Sequence, residues 1–283
     1  MDFSFNLPVR IISGVGCIQQ HADLFQLGQT AFIVTGQSGA AKSGALADVL
    51  AVLEKNVLII DADPQANTTS GLNFSPDSDE QRTLYDLLIG TRKVEDVLIQ
   101  TEIGRLHMIP STIDLVGAEL ELLETQDRES LLKKAIAPVR DNYDFIIIDC
   151  SPSLGLITVN SLTASDSVII PVQPEFFALE GLGKLLQTIR LVQGGVNPAL
   201  TIEGFLVTMF DGRTKVHNQV VEDLKEHFSD MVFKTVIQRN IRLSEAPSHG
   251  KPIILYDVIC NGTTNYLNLA KEVLERNGMA INR

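Results

Sequence analysis

The stretch VLIIDADPQANTTSGL, residues 57–72, decides the fold expected for this chain. It opens with four apolar residues, enough for one strand, and becomes acidic at Asp61 and Asp63. A second stretch, YDFIIIDCSPSLG at residues 143–155, has the same order, and its apolar run ends at Asp149. Strands that are apolar on both faces are typical of a parallel sheet covered by helices on both sides. The two stretches therefore predict strands of such a sheet.

The rest of the chain alternates between apolar runs of strand length and segments with helical periodicity. Strands are predicted at 31–34, 57–60, 107–109, 145–148, 167–171 and 205–208. Apolar residues at three- and four-residue steps predict helices at 42–55, 130–139, 179–192, 218–227 and 265–277. The alternation predicts an α/β fold with a doubly wound, mostly parallel sheet, helices on both faces, and ligands at the carboxyl ends of the strands.

Length and composition narrow the class of protein. The chain has 283 residues, of which 45% are hydrophobic and 20% charged, so it is neither disordered nor collagen-like nor a coiled coil. That length suits one large α/β domain or two small ones. The three cysteines have no CxxC spacing, which argues against a disulfide framework and a cysteine zinc site. No signal peptide or membrane span is recognisable, and we expect a cytoplasmic protein.

The charge is acidic overall but uneven. There are 23 Lys and Arg against 35 Asp and Glu, a formal net charge of −12, which counts against binding to a nucleic-acid backbone. Residues 205–260, however, contain seven basic and seven acidic residues and are neutral. Two interpretations stay open for this stretch: a local basic surface, or a solvated face of mixed, salt-bridged charge.

The turn FIVTGQSGAAKSG, residues 32–44, nearly matches the phosphate-binding pattern GxxxxGK[ST]. In that pattern backbone N–H groups and a helix N-terminus surround the phosphates, the Lys neutralises them and the hydroxyl binds magnesium. Ala41 stands where the pattern has Gly, so a Gly-rich connection without a ligand is the alternative. The residues predicted to bind the nucleotide here are Gly36, Gly39, Lys42 and Ser43.

Three carboxylates follow the two most apolar strands. Burying Asp61 or Asp63 without a partner would cost several kcal/mol, so we expect both to face a cation, water or a reacting group. A helix cap or Asx turn at Asp63 is the alternative. Asp149, after a strand beside the phosphate loop, is predicted to orient magnesium through water. Taken together, these signals favour a nucleoside triphosphate site over an α/β domain that binds no nucleotide.

From residue 57 to about 279 the chain resembles the ParA/Soj-type partition ATPases of the deviant Walker A class. The motifs that carry the resemblance lie in family order: VLIIDADPQANTTSGL, YDFIIIDCSPSLGLITVNSL, IIPVQPEFFALEGL, LVTMFDGRT and RNIRLSEAPSHGKPI. The resemblance covers roughly four-fifths of the chain and is highly specific. It implies a Mg-ATP-dependent ATPase that forms a nucleotide-bound homodimer, binds DNA nonspecifically on the nucleoid, and responds to a ParB-like partner in chromosome or plasmid segregation.

The resemblance also implies roles for single residues. Asp63 would be the switch carboxylate that orients the attacking water, and Asp61 and Asp149 would be acids on the magnesium side. The phosphate-loop pattern, not the resemblance, predicts Lys42 as a second catalytic residue and Ser43 as a magnesium ligand. The residues implied near adenine are Met209, Gln238 and Asn240, although Gln238 stands where the family has Pro. The residues implied to face DNA are Arg239 and Arg242.

The N-terminal part departs from this family. QSGAAKSG, residues 37–44, stands where KGGVGKTT is expected, and Gln37 replaces the signature lysine that reaches the partner's nucleotide. Residues 1–56 resemble instead the opening of an iron-containing alcohol dehydrogenase, although no iron ligands of that family are present. We therefore predict a chimera: a dehydrogenase-like segment 1–56 and a ParA-like body 57–283, together forming one α/β domain, with turnover impaired by the altered loop.

Two other functions stay open. One is a catalytically silent hybrid α/β scaffold or nucleotide-binding module, and the other, more distant, is an NAD-dependent oxidoreductase. A relative of the MinD type would end in a basic amphipathic helix for membranes. The tail at residues 265–283 has mixed charge, so we predict that this helix packs on the core and that no membrane is bound.

Overall fold

The computed structural model describes five stretches of the chain: residues 30–35, 40–75, 82–151, 155–175 and 178–279. Within them, seven strands form one sheet. They are β1 (Thr30–Thr35), β2 (Val57–Ala62), β3 (Ile99–Gln100), β4 (Leu106–Ile109), β5 (Phe145–Cys150), β6 (Ser167–Val172) and β7 (Thr201–Val207). Their spatial order is β3-β4-β2-β5-β1-β6-β7, and all pairs are parallel except β3 with β4. The predicted doubly wound, mostly parallel sheet is confirmed.

The helices lie between the strands. In chain order they are α1 (Ala40–Val52), α2 (Asn67–Gly71), α3 (Leu84–Leu88), α4 (Val94–Val97), α5 (Leu115–Glu121), α6 (Leu131–Ile136), α7 (Leu156–Ala164), α8 (Ala178–Gly194), α9 (Lys215–Phe228), α10 (Ile241–Glu245), α11 (Ile253–Tyr256) and α12 (Asn261–Arg276). Short 3₁₀ turns occupy Arg128–Ser130, Arg140–Asn142, Ser229–Met231 and Ala246–His249. All five predicted helices are present, with ends shifted by one to four residues.

Two hydrophobic clusters lie on opposite faces of the sheet because neighbouring side chains of a strand point to opposite faces. In β2, Leu58 and Ile60 belong to one cluster, and Val57 and Ile59 to the other. The second cluster includes α1 and α12, where the tail residues Leu269, Val273 and Leu274 are buried, as predicted. The first cluster includes α3, α6, α7 and α8. Helices therefore cover both faces.

Several short elements were not predicted, and α7 shows why. Seven of its nine residues are buried, from Ile157 to Ala164, and they include Asn160 and Ser161. A helix that is buried all round has no polar face, so the three- and four-residue periodicity on which prediction depends is lost. The strand β3 has two residues, too few for any alternation.

The position of β1 is important for the site. This strand lies inside the sheet and pairs with β5 on one side and β6 on the other. The predicted segment 1–56 thus contributes a central strand and the helix α1 to the same sheet as the body of the chain. Crevices for ligands in open α/β sheets lie at the carboxyl ends of such central strands.

Candidate nucleotide site

The register of the sheet brings two of the predicted acids to the same level. Asp61 near the end of β2 is the direct partner of Asp149 near the end of β5. On the other side of β5, Val34 of β1 is also a partner of Asp149. The strand β1 ends at Thr35 and α1 begins at Ala40, so the residues of the predicted phosphate loop connect the two. The predicted phosphate loop and both acids therefore follow three adjacent central strands.

Asp61 is fully buried and hydrogen-bonded within the protein. Its Oδ2 accepts the backbone N–H of Thr69 at 2.8 Å and the Thr69 hydroxyl at 2.6 Å, and its Oδ1 accepts the N–H of Asp63 at 3.2 Å. Burial raises the pKa of Asp61 to about 6, although these hydrogen bonds act in the opposite direction. Protein donors thus surround the carboxylate of Asp61, and its contact with a cation or water stays a prediction.

Asp149 has a similar environment. It is 1% exposed, and its Oδ2 accepts the hydroxyl of Thr68 at 2.6 Å. The adjacent residues Thr68 and Thr69 of α2 thus bind the acids of two different strands. The sequence prediction missed both threonines. The signal for them was the hydroxyl-rich run NTTS directly after the acidic turn.

Asp63 lies at the partly exposed end of this acidic group. Its Oδ1 accepts the backbone N–H of Gln65 at 3.0 Å, which is the Asx turn that the sequence left open as an alternative. The turn holds the carboxylate above the carboxyl ends of the strands instead of in the core. Both interpretations of Asp63 are thus compatible with its position, and the catalytic one stays a prediction.

The phosphate-loop residues are described only in part. Gly36 and Gly39 lie outside the described residues. Lys42 and Ser43 lie in the first turn of α1, with side chains outside the described set. A helix N-terminus at the carboxyl edge of the sheet presents unpaired N–H groups and the positive end of the helix dipole, which favours an anion.

The three residues implied near adenine all belong to the second half of the chain, and they lie close together in the fold. Phe210 forms an isolated bridge with Gln238, so Met209, which has a left-handed φ of 55°, is next to that pair. Asn240 is the N-cap of α10, and its side-chain oxygen accepts the N–H of Arg242 at 2.8 Å. The fold thus brings these three residues together. Asn240 also has a structural role, because it caps the N-terminus of α10.

The magnesium prediction fits the acids that are present. Within the described residues, no group of three or more His, Cys, Asp and Glu side chains could hold a metal ion. Magnesium keeps several waters and is usually bound through one or two carboxylates plus substrate phosphates, not by a cage of protein ligands. Asp61 and Asp149, which are register partners beside β1, match that kind of site.

The two arginines implied to face DNA differ from each other. Arg239 is exposed, and no ion pair of its side chain is found in the described part of the chain. Arg242 forms ion pairs with Glu245 at 2.8 Å and Asp257 at 3.4 Å. Arg242 therefore lies on a salt-bridged face, where two carboxylates balance its charge, and its contact with DNA stays a prediction.

Among the helices that the structure describes, none is both long and apolar enough to cross a bilayer.

Comparison with known proteins gives the family. The family model described as "AAA domain" matches residues 34–202. The sporulation initiation inhibitor protein Soj of Bacillus subtilis is 52% identical over 250 residues, covering 87% of this chain and 98% of that protein. The chromosome-partitioning ATPase Soj of Treponema pallidum is 48% identical over 255 residues, covering 89% and 99%.

The fold has solved counterparts. The cobyrinic acid a,c-diamide synthase of Mycobacterium smegmatis, solved with ADP and magnesium, has a TM-score of 0.75 and 31% identity, covering 87% of this chain and 94% of that chain. The family match begins at Val34, before the predicted seam between Asn56 and Val57, so the seam finds no support in it. The chain belongs to the ParA/Soj family of chromosome-partitioning ATPases.

Proposed function

We propose that this protein binds Mg-ATP at the carboxyl ends of β1, β2 and β5 and hydrolyses it in DNA partition. The observation that carries the proposal is the pairing of Asp61 with Asp149 in the sheet, beside the strand β1 that precedes α1. Burial of two adjacent carboxylates is unfavourable unless donors or a cation compensate them. Thr68 and Thr69 donate hydrogen bonds to these carboxylates from α2, and one shared cation would compensate the remaining negative charge.

Each polar side chain has a role in this proposal. Magnesium would supply charge neutralisation for the phosphates, next to Asp61, Asp149 and the hydroxyl of Ser43. Lys42 would stabilise negative charge on the phosphates. Asp63 is held at a partly exposed position by its Asx turn, and would orient the attacking water.

The outer parts of the site would bind the base and DNA. Met209, Gln238 and Asn240 are proposed to contact adenine, which their proximity in the fold supports. Nonspecific DNA binding by an ATP-dependent homodimer, regulation by a ParB-like partner and association with the nucleoid are proposed from the family. Arg239, which is exposed, is proposed as the main phosphate contact.

The altered phosphate loop is expected to slow ATP hydrolysis. Gln37 has neither the charge nor the length of the family's signature lysine, and Ala41 adds a methyl group where the backbone should approach phosphate. We therefore propose ATP binding with slow turnover. A separate, dehydrogenase-like origin of residues 1–56, and their division from a body at 57–283, stay proposals that rest on sequence motifs alone.

The test is equilibrium binding of ATP and ADP with magnesium, with NAD as the control ligand. Lys42→Ala should weaken ATP binding by about tenfold or more, because it removes a charge next to the phosphates. Lys55→Ala is the matched control, since this lysine lies just beyond the other end of α1. Asp63→Ala should leave ATP binding intact and abolish the remaining hydrolysis.

The alternatives predict other results. A folded protein that binds no nucleotide would refute the proposal and favour the silent α/β scaffold. Preference for NAD over ATP would favour the oxidoreductase. Equal ATP affinity of the Lys42 and Lys55 variants would show that the turn before α1 does not bind the phosphates.

A further inference from the structure

A small cavity lies between α1, α2 and the segment 243–253, beside the proposed nucleotide site. Its volume is about 30 Å³. The polar residues of its wall include Asp48 of α1, Asn67 and Thr68 of α2, and Lys251. One water needs about 10–15 Å³ of such space. The cavity therefore has room for about two particles of the size of a water molecule.

The carboxylate of Asp48 is the unusual group in this wall. Its side chain is 1% exposed, and within the described residues its Oδ1 is buried without a hydrogen-bond partner. Burial is the cause of the raised pKa of Asp48. Buried charges in proteins are paired or coordinate a metal ion, because an isolated charge in an apolar medium is very unfavourable. Asp48 therefore lacks the partner that a buried carboxylate requires.

Lys251 does not supply this partner, although it lines the same cavity. Its side chain is exposed, and no ion pair joins it to Asp48 in the part of the chain that the structure describes. The lysine ammonium is strongly hydrated and sits at the end of a flexible stem, so it can stay in water. Asp48 cannot reach water, so we expect its counter-charge to enter the cavity from the solvent.

The wall of the cavity determines which kind of cation fits. No group of three or more His, Cys, Asp and Glu side chains among the described residues could hold a metal ion. Calcium takes about six to eight oxygen ligands, and magnesium keeps an octahedral shell with several waters. A cavity of about two water volumes with one carboxylate suits neither, whereas a single positive charge balances one carboxylate. The amide oxygen of Asn67 can be a second ligand, since its Nδ2 is the atom that donates to Gln65 at 3.3 Å.

We propose that this cavity binds a monovalent cation of the size of potassium or ammonium, held by the carboxylate of Asp48. The cation would neutralise the buried acid without a change in the packing of α1. The cavity adjoins the nucleotide site through Thr68, which lines it and donates its hydroxyl to Asp149 at 2.6 Å. The proposal does not rest on nucleotide binding, because every residue that it uses is in place without nucleotide.

The first test is thermal unfolding of the full chain without nucleotide. The salts are the chlorides of potassium, ammonium and tetramethylammonium at equal ionic strength, and the last cation is too large for the cavity. Potassium or ammonium should raise the Tm of the parent chain by about 2–4 °C relative to tetramethylammonium, at concentrations several times the dissociation constant. Asp48→Asn should abolish this difference, because the amide has no charge. Asp141→Asn is the matched control and should keep it, since Asp141 is exposed.

The second test locates the ion. Rubidium has the charge and nearly the size of potassium, and it scatters X-rays anomalously. Crystals of the parent chain grown with rubidium chloride should show an anomalous peak next to Oδ1 of Asp48, and crystals of the Asp48→Asn variant should not.

Three results would overturn the proposal. One is an equal Tm of the parent chain in all three salts, which would mean that water alone fills the cavity. Another is a salt effect of the same size in the parent chain and in Asp48→Asn, which would be a surface effect. The third is a potassium response that appears in Lys251→Met and is missing in the parent chain, because this would identify the ammonium of Lys251 as the counter-charge.

Discussion

Asp48 of α1 provides a direct test of the cost of a buried charge in this fold. Its side chain is 1% exposed, and its Oδ1 has no hydrogen-bond partner in the described part of the chain. Burial raises the pKa of Asp48 well above the ordinary value of 3.8. We predict that Asp48→Asn stabilises the protein at pH 7, because the amide has the same shape and no charge to bury.

The stabilisation expected from Asp48→Asn has an upper limit. Each unit by which the pKa of an acid is raised in the folded state costs about 1.4 kcal/mol, until the folded group is neutral at the working pH. If the pKa of Asp48 is 3.8 in the unfolded chain, this cost at pH 7 cannot exceed about 4 kcal/mol. The buried amide of Asn has its own cost of about 1–3 kcal/mol. A cavity of about 30 Å³ beside Asp48, also lined by Lys251, has room for a water that would reduce this cost. We expect a net gain of about 1–3 kcal/mol.

The pH dependence of this stabilisation is a more specific test of the buried charge than its size. A raised pKa in the folded state means that the folded protein binds the proton more tightly, so the parent chain gains stability as the pH falls toward 3.8. The Asn variant lacks this gain. The difference in free energy of unfolding between variant and parent should therefore be largest in mildly alkaline buffer and shrink as the pH falls, by at most about 1.4 kcal/mol per pH unit.

Urea denaturation of both chains across this pH range measures the difference directly, and other titrating groups cancel between them. Asp141→Asn is the matched control, because Asp141 is exposed. A difference that is the same at every pH, or an Asn variant less stable than the parent in alkaline buffer, would refute the reasoning.

Two further predictions concern the nucleotide site and DNA. Thr69→Val removes the hydroxyl that donates to Asp61 and accepts the N–H of Ser111, so it should lower the free energy of unfolding by about 2–4 kcal/mol, while Thr69→Ser should cost about 1 kcal/mol, as measured by urea denaturation. Equal losses would contradict the role of the hydroxyl. Arg239→Ala should reduce the salt dependence of DNA binding by about one phosphate contact, and Arg242→Ala should have a smaller effect because of its two ion pairs, as measured by anisotropy at several salt concentrations. A larger effect at Arg242 would show that its ion pairs open on DNA.

The amino-acid sequence by itself determined the layered fold and the edge at which the site lies. Runs such as FIIID at residues 145–149 are apolar at every position, and only a strand covered on both faces can bury them all. An acid directly after such a run must lie at the carboxyl end of a strand. This is local information, and it located Asp61, Asp63 and Asp149 correctly along the chain.

The tertiary structure decided which groups meet. The Thr68 hydroxyl and Asp149 are 81 residues apart and the ion pair of Arg242 with Asp257 spans 15, so no local pattern indicates either. The same holds for α5, where apolar residues lie on two sides and the sequence cannot say which side is buried. Packing against the sheet selects Leu115 and leaves Leu120 exposed, because burial depends on what lies opposite each side chain in space.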